Sequence, residues 1–296
     1  MNDLAPTRVR PAAARSGEPT FAVAFGGGGA RGLAHIHVIE ALDELGIRPV
    51  AIAGSSIGAI MGAGMAAGMS GLEIHHHARS ILGRRGEVAS RIWKSRPGTL
   101  REAVAGGFRL GQFDICRILK QFLPDPVPDT FEELGIPLKV TATDFYGHCR
   151  AVLDSGDLLS ALAASAAIPA LFRPVRRDGR LLVDGGIYNP VPFDLVEGTA
   201  DIIIAIDVVG APGGDDGRQP RAVDLMFGTS QLMMQSIMEL KLARRRPEIF
   251  LQPPVSRFRV LDFLKIDTVM GETEAIKDEL KRAVEAAVRD HEAAAR

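Results

Sequence analysis

Two short apolar runs, each ending in a glycine-rich turn and each leading into a helical pattern, restrict the possible folds of this chain more than any other feature. Phe21-Ala-Val-Ala-Phe25 runs into Gly26-Gly-Gly-Gly-Ala-Arg-Gly32, and a helical pattern follows from Leu33 to Leu45 with Gly46 as its stop. Pro49-Val-Ala-Ile-Ala53 runs into Gly54-Ser-Ser-Ile-Gly58 and a second helix. Strand, helix, strand, helix is the order that builds a parallel sheet with helices on its faces, because parallel neighbours need a crossover between them. Ser56 therefore falls at the carboxyl end of a strand, where open α/β sheets bind ligands. With 296 residues, 46% of them hydrophobic, the chain can bury one large core or two modest ones, and disorder cannot dominate it.

Later segments extend the pattern. Leu138 to Thr143 reads as a strand that Arg150 to Leu153 can pair with, and Asp157 to Ala167 as a helix stopped by Pro169. Leu171 to Arg176 and Arg180 to Val183 flank Asp178-Gly179, a two-residue hairpin signal. Ile202 to Val208 is unbroken and apolar, as a central strand should be. After a polar loop come a long helix to about Arg246, a short strand around Ile249 to Leu251 and a charged helix from about Glu272. The expected organisation is a flexible tail over 1–20, a main domain over 21–208 and a mainly helical part over 209–296 packed on the same globule.

The second turn carries the pattern Gly54-x-Ser56-x-Gly58, in which flanking residues without bulk let the chain bend sharply and expose a serine oxygen. Ser55 is the alternative nucleophile. A serine hydroxyl needs an acceptor for its proton, yet none of the seven histidines sits in an evident catalytic setting. Asp184 follows an apolar strand and precedes Gly185-Gly186, so its carboxylate can be held at a sheet end and take the serine proton directly. The first turn matches Gly27-x-Gly29-x-x-Gly32, the dinucleotide fingerprint, but no acid stands where the ribose needs one. The same backbone amides beside a helix start equally suit an oxyanion hole.

Gly27-Gly-Gly-Ala-Arg-Gly32, Gly54-Ser-Ser-Ile-Gly58 and Asp184-Gly-Gly186, in this order, resemble the motifs of the patatin-like phospholipases. Ala164-Ser-Ala-Ala-Ile-Pro169 and Asn189-Pro190 look like further segments of that family. The resemblance covers residues 21 to 208 and is similar to both compact bacterial members and the catalytic domain of neuropathy target esterase. It implies a three-layer α/β/α sandwich around a mostly parallel sheet. It also implies Ser56 as nucleophile, Asp184 as its sole partner, the amides of Gly27, Gly28 and Gly29 as oxyanion hole, no cofactor or metal, and a lipid ester as substrate. Other expectations are a nucleotide-binding or noncatalytic regulatory protein on a related fold.

The remaining features are read as follows. Arg31 either holds an anionic substrate group or pins the glycine loop through carbonyls or a carboxylate. His75-His-His77 cannot converge on one ion, because adjacent helix residues face different ways. Met226, Met233, Met234 and Met238 fit a helix face packed in the core, or an acyl-chain lining. Net charge −1 argues against a nucleic-acid partner. Cys116 and Cys149 form no disulfide framework, which favours a cytoplasmic setting with buried free thiols. Residues 51–69 are uncharged for 19 positions but weakly apolar, with five glycines and six alanines, so a tightly packed core segment is favoured over a membrane span. Residues 84–96, with five basic side chains, one acid and Trp93, suit peripheral contact with an anionic membrane face.

Overall fold

The computed structural model describes residues 18–83, 113–213 and 219–295. The basic segment 84–96, and the expected tail except for its last three residues, lie outside them.

The first strand, β1 (Phe21–Phe25), is paired in parallel with β2 (Ala51–Ser55) on one side and with β7 (Ile202–Ile206) on the other, Val23 facing Ile52 and Ile204. β8 (Ile249–Leu251) adds a parallel strand outside β7, and β3 (Leu138–Asp144) adds one outside β2. The other strands are antiparallel: β4 (Cys149–Leu153), β5 (Val175–Arg177) and β6 (Arg180–Val183), giving the order β5-β6-β3-β2-β1-β7-β8 with β4 also on β3. The sheet is thus mostly parallel. Its middle strands are apolar throughout because both faces are covered, and their residues alternate between two cores. Phe21, Val23 and Phe25 point into the larger core, and Ala22 and Ala24 into the smaller.

On the larger side lie α1 (His35–Glu44), entered through a 3₁₀ turn at Gly29–Ala34, then α2 (Ile57–Ala66), α3 (Gly71–Leu82), α4 (Ile115–Phe122) and α5 (Leu158–Ser165). The C-terminal α7 (Ile266–Thr273) and α8 (Ile276–Ala294) join them. Met238 of α6 (Ala222–Arg244) and Val191, Phe193 and Val196 cover the smaller side. Gly46 ends α1 with a left-handed φ of 68°, closing a 6→1 bond from Ile47 N–H to the Leu42 carbonyl.

Some expected boundaries move. The hairpin's first arm begins at Val175, since Pro174 has no amide to give the ladder. The last charged helix is two helices, starting at Ile266. Residues 51–69 split into β2 and the ten-residue α2, and no helix among the described residues is long and apolar enough to cross a membrane. Cys149 lies exposed on β4 and Cys116 is half-buried, against the expectation of buried thiols; burial pushes the Cys116 thiol up to about 11. The methionines do not share one buried face: Met238 is core, whereas Met226 and Met233 are exposed.

The pairing of β3 positions the site. Val140 and Thr141 pair with both β2 and β4, so those two strands lie on opposite edges. Thr143 and Asp144 pair with both β4 and β6, so β6 is opposite β4 as well. β6 therefore shares an edge of β3 with β2, arriving head-on where β2 ends. Asp184, the residue after β6, is delivered to the point where β2 turns off at Ser56.

Candidate active site

Ser56 is the first residue after β2, with φ 52° and ψ −123°. For a residue bearing a side chain this is a strained conformation, of order 1–3 kcal/mol, which persists only where surrounding packing fixes it. The packing that does so is close. A Cβ at Gly58 would stand 2.2 Å from the Phe25 carbonyl oxygen, so α2 can cross the end of β1 at this distance only with glycine there.

Ser56 Oγ donates to Asp184 Oδ2 at 2.8 Å, and Asp184 Oδ1 accepts from the Gly186 amide at 2.8 Å. Burial lifts the Asp184 carboxyl to about 6, against the lowering effect of those two bonds. The main chain of Asp184 is held too, its amide by the Ala167 carbonyl and its carbonyl by the Thr143 hydroxyl. None of the seven histidines hydrogen-bonds to Ser56 or Asp184. His35 is fully buried and shares a 2.8 Å bond between Nε2 and the Gly26 carbonyl oxygen. Burial holds it down at about 4, so it is neutral. The three consecutive histidines diverge: His75 faces Glu40, His77 the Phe122 carbonyl, and His76 is exposed. Among the described residues there is no cluster suited to a metal ion.

The glycine loop divides its amides. The Gly26 and Gly27 amides donate to the carbonyls of Ile206 and Pro190, and that of Ala30 to Val260. The amides of Gly28 and Gly29 find no acceptor among the described residues and border the same cavity as Ser56. Of the three amides expected to act together, that of Gly27 is bonded to Pro190. Ser55 is fully buried with no partner for its hydroxyl, which leaves Ser56 as the one of these two serines that lines the cavity.

Arg31 is buried, and its guanidinium donates to the carbonyls of Phe258, at 2.7 Å, and Val209. Desolvation lowers it to about 10, partly offset by Asp262. These bonds fasten the glycine turn to the C-terminal segments, the pinning arrangement rather than an arginine turned wholly toward a ligand.

Ser56, Gly29 and Ile168 stand between two cavities. One, of about 110 Å³, is lined by the glycine loop, Asp184 and side chains of α6 such as Met226 and Met234. The other, of about 420 Å³, is almost wholly apolar and runs between α2, α3 and α4, past Ile60, Ile81, Leu119 and Phe172. A serine oxygen with an apolar chamber on one side and free amides on the other is an arrangement with room for an acyl group.

The family described as patatin-like phospholipase matches residues 23–196. The chain belongs to the patatin-like phospholipase family. An NTE family protein of Mycobacterium tuberculosis is 39% identical over 211 residues, 69% of this chain and 54% of its own length. The lysophospholipase nte1 of Aspergillus niger is 27% identical over 272 residues, 83% of this chain and 17% of its own. This chain thus spans about half the length of the mycobacterial relative it matches and less of the fungal one. Among solved structures, human GIVD cytosolic phospholipase A2 aligns with 92% of this chain and 60% of its own at 11% identity and a TM-score of 0.46.

Sequence reasoning about this patatin-like phospholipase missed Ser165, whose hydroxyl accepts from the Ser56 amide at 2.7 Å and donates to the Thr141 carbonyl at 2.7 Å. Its only signal was its place in the Ala164-to-Pro169 segment. The carbonyls of Val209, Phe258 and Val260 gave no signal, because a main-chain acceptor can belong to any residue.

Proposed function

We propose that this patatin-like phospholipase is a serine acyl hydrolase working through a Ser56–Asp184 dyad on long-chain lipid esters. The observation that carries the reading is the 2.8 Å bond from the strained Ser56 hydroxyl to a carboxylate with no histidine between them. Ser56 Oγ attacks the ester carbonyl carbon and its proton passes to Asp184 Oδ2. The negative oxygen that forms is met by the amides of Gly28 and Gly29. Collapse returns the proton from Asp184 to the departing alkoxide, leaving an acyl-serine that water then cleaves with Asp184 again as base. A carboxyl near 6 suits both roles, being mostly ionised at neutral pH yet less reluctant than a free aspartate to hold a proton. The apolar cavity receives the acyl chain, and the smaller one the leaving alcohol.

The test is labelling by a long-chain fluorophosphonate. Wild type should be modified at Ser56, with a chelator present or absent, and Ser56→Ala should not. Labelling at another serine would overturn the reading.

Peripheral contact with a lipid surface is part of the same proposal. Met226 both lines the smaller cavity and is exposed, and Leu225, Leu232 and Met233 of the same helix are exposed as well. Apolar side chains at a pocket mouth give a lipid ester a dry path out of a membrane. Replacing Leu225 and Met233, exposed on the same helix and outside the cavity lining, by Ser should weaken binding to phospholipid vesicles while leaving hydrolysis of a short soluble ester within about twofold. Unchanged vesicle binding would refute it.

A further inference from the structure

The β2–β3 ladder is interrupted at its last rung. A parallel pair places its bonds two residues apart, and here one runs from Ile52 N–H to the Pro137 carbonyl. Continued along the register, in which Ile52 faces Leu138 and Ser55 faces Thr141, the series reaches Ser56 N–H and the Thr141 carbonyl. Those two groups do not bond to each other. The Ser165 hydroxyl stands between them, accepting from the first and donating to the second, both at 2.7 Å. Ser165 is fully buried at the end of α5, so no water competes for either bond.

We infer that Ser165 is a positioning residue for the reaction, a wedge that holds the last ladder rung open and so keeps Ser56 in its left-handed turn. The rung carries two consequences. With the hydroxyl in place, Ser56 cannot continue β2 and its side chain is turned toward Asp184. The same wedge occupies the Ser56 amide and so withdraws it from any oxyanion, while the amides of Gly28 and Gly29 stay free. Two residues further on, the Ala167 carbonyl accepts the Asp184 amide, so one short segment fixes both partners of the dyad. Removing the hydroxyl lets Ser56 N–H and the Thr141 carbonyl approach each other and relax the turn. A shift of about 1 Å in a reacting group costs on the order of 10²-fold in rate.

This inference rests on the dyad reading, and the experiment separates the two. Ser165→Ala, Ser165→Cys and Ser56→Ala are compared with wild type on a soluble ester, with active sites counted by fluorophosphonate titration. The expected result for Ser165→Ala is a kcat per titratable site lower by about 10- to 100-fold with KM within about threefold. Mere loss of folded protein would lower the number of sites and leave kcat per site unchanged. If Ser165→Ala does not accumulate, Ser165→Cys decides, because a thiol keeps the shape and bonds weakly; its kcat per site should fall about tenfold. Wild-type kcat per site in the deciding variant overturns the wedge and leaves the dyad standing. Labelling that survives in Ser56→Ala overturns the dyad and the wedge together.

Discussion

The turns after β1 and β2 begin alike, each a glycine-rich bend between a buried strand and a helical turn, yet they contribute opposite things. The first presents no side chain to the cavity at Gly27 to Gly29 and offers free amides there; the second presents one side chain, Ser56, and has its amide taken by Ser165. Glycine serves different ends in them. At Gly58 its smallness lets a helix cross a strand end, and at Gly28 it lets the loop lie against the Val208 carbonyl, 2.2 Å from where a Cβ would be. The same composition therefore encodes a surface of free amides in one turn and a strained serine in the other, and the difference lies in which neighbours press on each.

Asp184→Asn should break the second turn alone. Asparagine keeps the shape but accepts a proton poorly, and in triads, where the acid only orients a histidine, that change costs about 10⁴-fold in kcat. At least that loss is expected here, while His35→Gln and each other single histidine replacement keep a substantial rate in a soluble-ester assay. A dead, folded histidine variant would sink the dyad.

Next in size is a contrast within the first turn. Gly28→Ala drives a Cβ into a backbone carbonyl and should cost more than about 3 kcal/mol in urea denaturation. A Cβ at Gly27 meets Ser56 Cβ at 3.3 Å, so Gly27→Ala should fold and lose rate instead, about tenfold in kcat. Equal stabilities for the two would blur the distinction drawn above.

The Asp184→Asn protein should also be the more stable one at pH 7. The Asp184 carboxyl rises from 3.8 unfolded to about 6 folded, so its stabilising contribution is present below 3.8 and lost as pH rises through 6. Removing the buried charge should gain about 2–3 kcal/mol at pH 7, and the gain should vanish by pH 4. His35 runs the other way: depressed to about 4 from 6.5, it favours folding above 6.5 and that advantage is lost as pH falls toward 4. The two oppose each other in wild type, and the variant should expose the histidine's acid slope in thermal melts. A variant no more stable than wild type at pH 7 would mean the carboxylate is not desolvated.

The smallest effect sharpens the same point through activity. kcat/KM should fall as pH drops through about 6, because a protonated Asp184 cannot accept the serine proton. A limb near 4 would mark a solvated acid.

Much of this was legible in the chain because chemistry that needs missing side chains leaves glycines at fixed spacings. The glycine spacings singled out Ser56 and Asp184, which the fold brings within a hydrogen bond of each other, the apolar runs gave the parallel strands, and Asp178-Gly179 gave the hairpin, where both residues are left-handed. What stayed hidden depends on approach in space. Ser165 looks like any serine near a helix end, and its meaning comes from a ladder rung more than 20 residues away in sequence at Thr141 and over 100 at Ser56. The Gly27 amide could not be told from its neighbours without the Pro190 carbonyl. The methionine spacing on α6 fits a stripe, but nothing in the spacing says whether that stripe meets a core or a cavity mouth, and here Met226 and Met238 went different ways.

The second neighbour of β1 bears on how this chain can be cut for laboratory use. Phe21–Phe25 is flanked by β7 at Ile202–Ile206, beyond residue 196 where the family match ends, and among the described residues the hydrogen-bond acceptors of Arg31 are the carbonyls at 209 and 258. A fragment trimmed at 196 would carry an apolar strand with one naked edge and a buried cation without acceptors, both of which invite chains to stick to one another. Such a fragment should be recovered as aggregate, and a cut that respects the hydrogen bonds must keep at least Val260, whose carbonyl still holds the amide of Ala30.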